Sequence, residues 1–164
     1  MGERALASKF RSELKGFYKD AHVQLLMDAR NTMKKPYDTY VLKKGWFNAI
    51  EFKDVKAQTI RGDIVQDHQI ESLREVSNCG GHGCVVVFLS HPKMKKSILA
   101  MSIADWLKIF QGKHKSKSGL WKFKNNSIKL FDEILTPYIV EREKLVQKNG
   151  DTKTTWNFAR IFGA

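Results

Sequence analysis

Glu51 and Lys53 stand two positions apart near the end of a predicted strand, in the stretch FNAIEFKDVKAQ at residues 47–58. Side chains alternate along a strand, so this carboxylate and this ammonium point to one face, while Ile50 and Phe52 point to the other. A solvent-exposed ion pair is the more common outcome of such spacing. The other interpretation is half of a metal-dependent site that hydrolyses phosphodiesters.

Phosphodiester hydrolysis sets clear requirements. It needs a hydroxide near neutral pH, compensation for the charge on the phosphate, and help for the leaving oxygen, all of which one or two hard divalent cations supply. Magnesium prefers carboxylate and carbonyl oxygens and keeps several waters. A lysine next to the attacking water can orient it, lower its pKa or offset phosphate charge.

Two predicted strands would bring a second carboxylate to Glu51. Asp38 lies near the start of the strand predicted at residues 37–44, and Glu51 near the end of the strand predicted at residues 46–53. Because the strands of a hairpin run antiparallel, the start of one lies beside the end of the other. The backbone carbonyl of Phe52 can add a further oxygen ligand.

The elements around this hairpin follow from periodicity and capping signals. Apolar residues at helical spacing predict an amphipathic helix from Glu3 to Phe17, and an unbroken apolar run predicts a strand at residues 84–90 that is buried on both faces. The other predicted elements are a strand at 22–27, helices at 64–77 with Asp63 as N-cap, from Ser102 through Phe110, and from Thr136 to Lys148, and a glycine-rich turn at 78–83. This order predicts an α/β sandwich with a mixed sheet.

Composition indicates one domain with a polyanionic partner. The 164 residues are 42% hydrophobic, enough for one sizeable core. The net charge of +12 and pI of about 9.7 favour nucleic acid over a membrane, although a basic protein can simply be soluble. The sequence has no run of about 18 apolar residues, and its first residues have no apolar signal core, so we expect a cytoplasmic protein.

A second basic feature is the stretch KHKSKSGLWKFKNNSIK at residues 113–129, with six lysines and no acid. It can be a solvated loop with an exposed strand, or a surface that follows DNA phosphates while Trp121 and Phe123 contact bases or sugars, and we favour the second. The candidate DNA-binding lysines belong to this stretch or flank the hairpin: Lys113, Lys115, Lys117, Lys122, Lys124, Lys34, Lys35, Lys43 and Lys44.

Cys79 and Cys84 are the only cysteines. With His82 and His91 nearby they could form a zinc site, but a single Cys-x4-Cys pair is a weak zinc signature. Cys84 opens the apolar run CVVVFL, so burial as a small hydrophobic residue is the favoured interpretation.

The motif PYD, followed after twelve residues by EFK, resembles the signature of the PD-(D/E)XK nuclease superfamily. There a proline and an aspartate precede a Glu-x-Lys on the next strand, and the spacing from Asp38 to Glu51 is similar to that of Holliday junction resolvases of the archaeal Hjc and bacterial RecU types. The resemblance implies a restriction-endonuclease-like α/β sandwich with a central mixed β-sheet flanked by helices. Tyr37 separates Pro36 from Asp38, a departure that leaves the aspartate in place.

Three further stretches carry the same resemblance. GERALASKFRSELK is similar to the N-terminal helix of the resolvases, DHQIESL to a RecU-type helix with a His-Gln pair, and NCGGHGCVVVFL to the Gly-Gly turn and strand that follow. The resemblance covers residues 1–110, whereas residues 111–164 match nothing we can name. It is greatest for small phage-encoded RecU-like resolvases, which implies the cytoplasm of a host cell as the location.

The resemblance implies roles for the hairpin residues by position. Asp38 and Glu51 would be metal ligands together with the Phe52 carbonyl, and Lys53 would activate the water. The implied cofactor is Mg²⁺, with Mn²⁺ as a substitute.

It also implies roles for residues on two helices. Gln69 would brace the metal site or the water, and the alternative is an ordinary glutamine on a helix surface. Glu3 would be the acid from the N-terminal helix that faces the metal and serves as a further ligand, with Glu13 and Asp28 as rivals for that role. His68 lies next to Gln69 but points in another direction from the helix, so we assign it no role in catalysis.

The leading interpretation is a Mg²⁺-dependent DNA endonuclease that resolves four-way junctions as a homodimer, in a single nuclease domain at residues 1–164. Residues 1–110 would be the catalytic core, and residues 111–164 would contact DNA or form the dimer interface, with LFDEILTPYIV and WNFARIF as apolar candidates. The alternatives are another PD-(D/E)XK nuclease of the restriction-like, nicking or repair kind, and a non-enzymatic basic DNA-binding module.

Overall fold

The described part of the chain contains four α-helices and eleven strands. The computed structural model describes residues 2–27, 34–94, 97–115, 121–146 and 149–162, with the backbone alone for residues 112–115 and 121–125. The helices are α1 (Glu3–Phe17), α2 (Asp67–Asn78), α3 (Ile103–Phe110) and α4 (Phe158–Phe162). The strands are β1 (His22–Leu25), β2 (Thr39–Lys43), β3 (Trp46–Val55), β4 (Thr59–Arg61), β5 (His82–Leu89), β6 (Ser97–Ser102), β7 (Gln111–Lys115), β8 (Trp121–Asn125), β9 (Ser127–Lys129), β10 (Ile139–Val146) and β11 (Thr152–Trp156).

Seven strands form one sheet in the order β1-β2-β3-β5-β6-β10-β11. Strands β3 and β5 run parallel and the other neighbouring pairs run antiparallel, so the sheet is mixed. Two short antiparallel pairs, β4–β9 and β7–β8, form separate two-stranded sheets. The predicted α/β sandwich with a central mixed sheet flanked by helices is confirmed.

Each face of the central sheet has its own apolar cluster under helices. Helices α1 and α4 cover one face, where the rings of Phe52 and Phe158 meet Phe10 edge to face. Helices α2 and α3 cover the other face, where Leu73 and Trp106 are fully buried. All residues of β5 except the first are buried, as expected for a strand covered on both faces.

The predicted hairpin is present as β2 and β3. Gly45 lies in its turn with φ of +72°, a conformation that glycine adopts without the strain other residues would incur. The first residue of β2, Thr39, pairs with Ile50, so Asp38 lies just before β2 and beside the Glu51 end of β3. This register positions the site described below.

Helix α2 begins later than predicted, and Asp63 is not its N-cap. Asp63 lies in a separate 3-10 turn, Gly62–Ile64, whereas Gln66 precedes the helix. Gln66 and Gln69 form a reciprocal capping box, in which each side chain accepts the other residue's backbone N–H. These two bonds satisfy free donors at the helix start, which explains why the helix begins at Asp67.

The predicted helix from Thr136 to Lys148 is wrong. A 3-10 turn, Glu133–Tyr138, contains Pro137, and the chain then continues as β10. Strand β10 pairs with both β6 and β11, so sheet pairing replaces the helix that the Thr-Pro start signal suggested.

The C-terminal apolar segments lie largely inside this chain. From WNFARIF, Trp156, Phe158 and Phe162 are buried in the cluster under α1, so these three rings belong to the chain's own core. From LFDEILTPYIV, only Phe131 and Ile134 count among the exposed large hydrophobic residues of the described chain.

Among the described residues, no helix is both long and apolar enough to cross a membrane.

Candidate active site

Glu51 is a buried carboxylate in the middle of the sheet. It lies on β3 between β2 and β5, and its exposed fraction is 2%. One oxygen, Oε1, accepts a hydrogen bond from Gln69 Nε2 at 2.6 Å and lies 3.1 Å from Lys53 Nζ. The other oxygen, Oε2, is buried and has no hydrogen-bond partner in the described chain. A buried carboxylate oxygen without a donor is costly unless something outside the protein satisfies it.

Asp38 approaches Glu51 from the neighbouring strand. Its Oδ2 accepts the backbone N–H of Phe52 at 2.9 Å, and its Oδ1 lies 2.7 Å from Lys35 Nζ. The Phe52 ring packs against Phe10 in the core, so the peptide group is the part of Phe52 that can serve the site. Its carbonyl leaves the strand on the same side as its N–H, towards Asp38.

Gln69 is held in one orientation by its two neighbours. Its side-chain oxygen accepts the backbone N–H of Gln66 at 3.0 Å, so its amide nitrogen is the atom that donates to Glu51. It is buried in the first turn of α2. The capping box of α2 therefore also fixes the Glu51 carboxylate.

Helix α1 forms another side of the site. A cavity of about 430 Å³ lies between α1 and the hairpin. From α1 it is lined by Glu3, Arg4 and Arg11. Its other lining residues include Asp38, Glu51, Phe52 and Lys53. Partial burial raises the pKa of Glu3, and the charge of Asp38 adds to this while Lys53 opposes it. The backbone of Asp54 also opposes this increase in the pKa of Glu3. Glu3 is thus the N-terminal acid that faces the hairpin.

Burial raises the pKa of Glu51 to about 7. The nearby charge of Asp38 contributes to this increase, and the attraction and hydrogen bond of Lys53 oppose it. An added cation would stabilise the ionised form of a carboxylate that burial and a neighbouring negative charge disfavour.

A hard divalent cation fits this donor set. Glu51, whose Oε2 has no hydrogen-bond partner among the described residues, lines a cavity together with Asp38, Glu3 and Phe52. Within the described ranges, no three side chains of the Asp, Glu, His or Cys types are close enough to hold a metal alone. Magnesium is commonly bound by one or two carboxylates and keeps several waters, so two close carboxylates meet its needs.

Several predicted residues lie away from this cavity. Glu13 is buried in a two-pronged ion pair with Arg142, at 2.5 and 2.9 Å, which links α1 to β10 and excludes Glu13 from the site. Lys43 and Lys44 lie at the hairpin turn, about 17 Å along the strand from Asp38.

The remaining predicted residues are Asp28 and the other candidate lysines. Lys34 is exposed. Asp28 and Lys117 lie outside the described residues. The side chains of Lys113, Lys115, Lys122 and Lys124 do so too, although their backbones form the β7–β8 pair.

Sequence reasoning missed Arg4 and Arg11, which line the cavity. Arg11 Nη1 donates to Thr39 Oγ1 at 3.3 Å, and partial burial lowers the pKa of Arg11 while Asp38 opposes that change. The available signal was helical spacing, because residues 4, 7 and 11 lie on one face of a helix.

The two cysteines have separate environments. Cys79 is exposed, and Cys84 is buried on β5, where burial raises the pKa of its thiol to about 12. The favoured interpretation of Cys84 as a small buried hydrophobic residue agrees with this placement.

No protein-family model matches the chain, and no curated protein matches it either. Among solved structures, the chain is similar to Hjc, a Holliday junction resolvase from the archaeal hyperthermophile Archaeoglobus fulgidus. The TM-score is 0.48 at 14% sequence identity, over 79% of this chain and 91% of that chain. A likeness at this level is too distant to assign an activity, so the proposal below depends on the side chains of the site.

Proposed function

We propose that this chain is a divalent-metal-dependent DNA endonuclease of the PD-(D/E)XK type. The observation that carries the proposal is the environment of Glu51. Its buried carboxylate has one oxygen held by Gln69 and Lys53 and one oxygen without a hydrogen-bond partner in the described ranges, next to Asp38. A carboxylate kept only for structure would have donors on both oxygens.

The chain's own residues divide the work of hydrolysis. Asp38, Glu51 and the Phe52 carbonyl would hold Mg²⁺ or Mn²⁺, which when bound supplies charge compensation and a hydroxide near neutral pH. Lys53 places its ammonium at the cavity, where it can orient the attacking water and stabilise negative charge on the phosphate. Gln69 keeps the Glu51 carboxylate from rotating.

The same cavity can receive a phosphate. Arg4 and Arg11 line it, and a guanidinium can bind two phosphate oxygens at once. Glu3 adds a carboxylate at the rim, where it can accept a hydrogen bond from water. The charge of the whole chain, +12, favours DNA over a small phosphate ester as the substrate.

A four-way junction is the proposed substrate. Its support is the sequence resemblance to resolvases over residues 1–110, which includes the hairpin, the Gln69 helix and the Glu3 helix. A junction has two symmetric strands to cut, so we propose a homodimer that presents two sites.

The test is a panel of labelled substrates incubated with and without Mg²⁺. We expect paired symmetric cuts in a synthetic four-way junction, little cutting of linear duplex, and none in EDTA. Cutting of duplex as fast as junction would favour a restriction-like, nicking or repair nuclease. If the protein binds these substrates but cuts none of them in Mg²⁺ or in Mn²⁺, the result would contradict the proposal and favour a non-enzymatic DNA-binding module.

A further inference from the structure

Lys35 is directed at a carboxylate instead of at solvent. It lies three residues before Asp38, with 2.7 Å between Lys35 Nζ and Asp38 Oδ1. The two side chains are 27% and 13% exposed, so water screens this ion pair only in part. The sequence suggested Lys35 as a contact to DNA phosphates, whereas in the structure its charge is used inside the site.

The four carboxylate oxygens of Asp38 and Glu51 differ in what holds them. Asp38 Oδ2 is anchored by the backbone N–H of Phe52, and Glu51 Oε1 is anchored by Gln69 and Lys53. These donors belong to the strand and to a capped helix, so they stay with the fold. Of the remaining two oxygens, Glu51 Oε2 is unpartnered and Asp38 Oδ1 is held by Lys35.

We propose that Lys35 is the counter-ion of the metal-free site and competes with the divalent cation for Asp38. This inference rests on the proposed function, because it requires that Asp38 and Glu51 bind a metal. A cation that joins the two carboxylates needs an oxygen from each, and the Asp38 oxygen not anchored to backbone is the one that carries the lysine. The ammonium must leave that oxygen, or share it at the cost of charge repulsion, for the metal to bind.

The competition lowers metal affinity in a way that depends on the side chain at residue 35. Removing the charge removes the competing ion pair. It also removes the repulsion between a single and a double positive charge about 5 Å apart, which even in a water-like dielectric corresponds to roughly tenfold in affinity. Replacing lysine by arginine has the opposite effect, because a guanidinium binds a carboxylate through two parallel hydrogen bonds.

The experiment is calorimetric titration of the metal-free protein with Mn²⁺. We expect Lys35→Met to bind about tenfold more tightly than wild type, and Lys35→Arg to bind several-fold more weakly. Lys34→Met is the matched control, because it removes the same charge from the adjacent, exposed position; we expect less than a twofold change. Thermal melts of the metal-free variants check that each is folded.

The outcomes distinguish a failure of this inference from a failure of the proposed metal-dependent function. Equal or weaker Mn²⁺ binding by Lys35→Met, in a protein whose Glu51→Gln variant has lost the metal, would overturn the role of Lys35 and leave the metal site standing. An equal increase in Mn²⁺ affinity in Lys34→Met would also overturn it, since the effect would then come from the lower net charge and not from the contact with Asp38. No Mn²⁺ binding by wild type, or equal binding by Glu51→Gln, would overturn the metal site together with this inference.

Discussion

Glu51 combines two properties that rarely occur together in a structural residue: deep burial and a carboxylate oxygen with no hydrogen-bond partner among the residues described. Its pKa of about 7 in the folded chain lies well above the usual 4.5. The folded chain therefore holds this proton more tightly than the unfolded chain does. The stability gained from the protonated form is complete below pH 4.5 and is lost as the pH rises through about 7.

This titration predicts how the metal-free protein responds to pH. In EDTA, wild type should lose about 3 kcal/mol of unfolding free energy from Glu51 between pH 4.5 and pH 8, an order-of-magnitude figure from the shift in pKa. Glu51→Gln cannot ionise, so its stability should fall much less over the same range. Urea denaturation of both proteins at several pH values measures the difference. Parallel curves for the two proteins would show that Glu51 does not titrate in this window.

The hairpin residues could be predicted from the sequence because the signal is local. Asp38 and Glu51 come together through the antiparallel pairing of adjacent strands, and Lys53 follows from alternation on one strand. Glu13 could not be separated from Glu3 in the same way. The two lie ten residues apart on α1, about 80° apart around the helix, and only the packed helix shows which side faces the hairpin.

At the level of elements, the site depends on how closely α2 approaches the sheet. Helix α2 carries Gln69, and the start of β5 lies against it with no room for a side chain at Gly83. A methyl group there would lie 2.9 Å from the Cβ of Leu73 and close to its carbonyl oxygen. Glycine at residue 83, the second residue of β5, is therefore a packing requirement of the site.

Gly83→Ala should destabilise the chain by about 1–3 kcal/mol, because the added methyl group meets helix backbone that cannot move without shifting α2. Gly16→Ala is the control: Gly16 lies in α1 with nothing within 4 Å of the added carbon, and the change should be neutral or stabilising by up to about 1 kcal/mol. Chemical denaturation of both variants compares them. Equal effects at the two positions would show that the contact between α2 and β5 is not tight.

The elements missed from the sequence are those whose partners are distant. The stretch IVEREKLV has no strict alternation, and it becomes β10 because β6 and β11 lie on either side of it. The preceding Thr-Pro pair is a helix-start signal that the chain uses for a 3-10 turn instead. By contrast, β5 was predictable from its unbroken apolar run alone.

At the scale of the whole molecule, charge determines how the protein should meet DNA. With a net charge of +12, its junction affinity should fall steeply with salt, because lysines that neutralise phosphates release counterions. Replacing Lys113, Lys115 and Lys117 together by alanine should flatten the slope of log affinity against log salt by up to about three units. Fluorescence anisotropy at several salt concentrations gives the slope. An unchanged slope would remove this stretch from the DNA-binding surface.

The chain should be a dimer in solution, because two symmetric cuts in one encounter require two sites. With the apolar residues of WNFARIF buried in the chain's own core, an interface of roughly 800 Å² per chain must come from other surfaces. Light scattering at micromolar concentration, alone and with a four-way junction, measures the mass. A monomer in both states, with two nicks made in separate events, would favour a nicking nuclease.

The central claim is that Asp38 and Glu51 hold a cation that supports DNA hydrolysis. The most direct measurement is the single-turnover rate of junction cleavage in Mg²⁺ by wild type and by Glu51→Gln, purified in parallel so that a contaminating nuclease would act in both. Loss of the buried carboxylate removes a metal ligand but no phosphate contact, so we expect the rate to fall by at least about 10²-fold while junction binding is retained. Cleavage by Glu51→Gln at a rate near that of wild type would contradict the account.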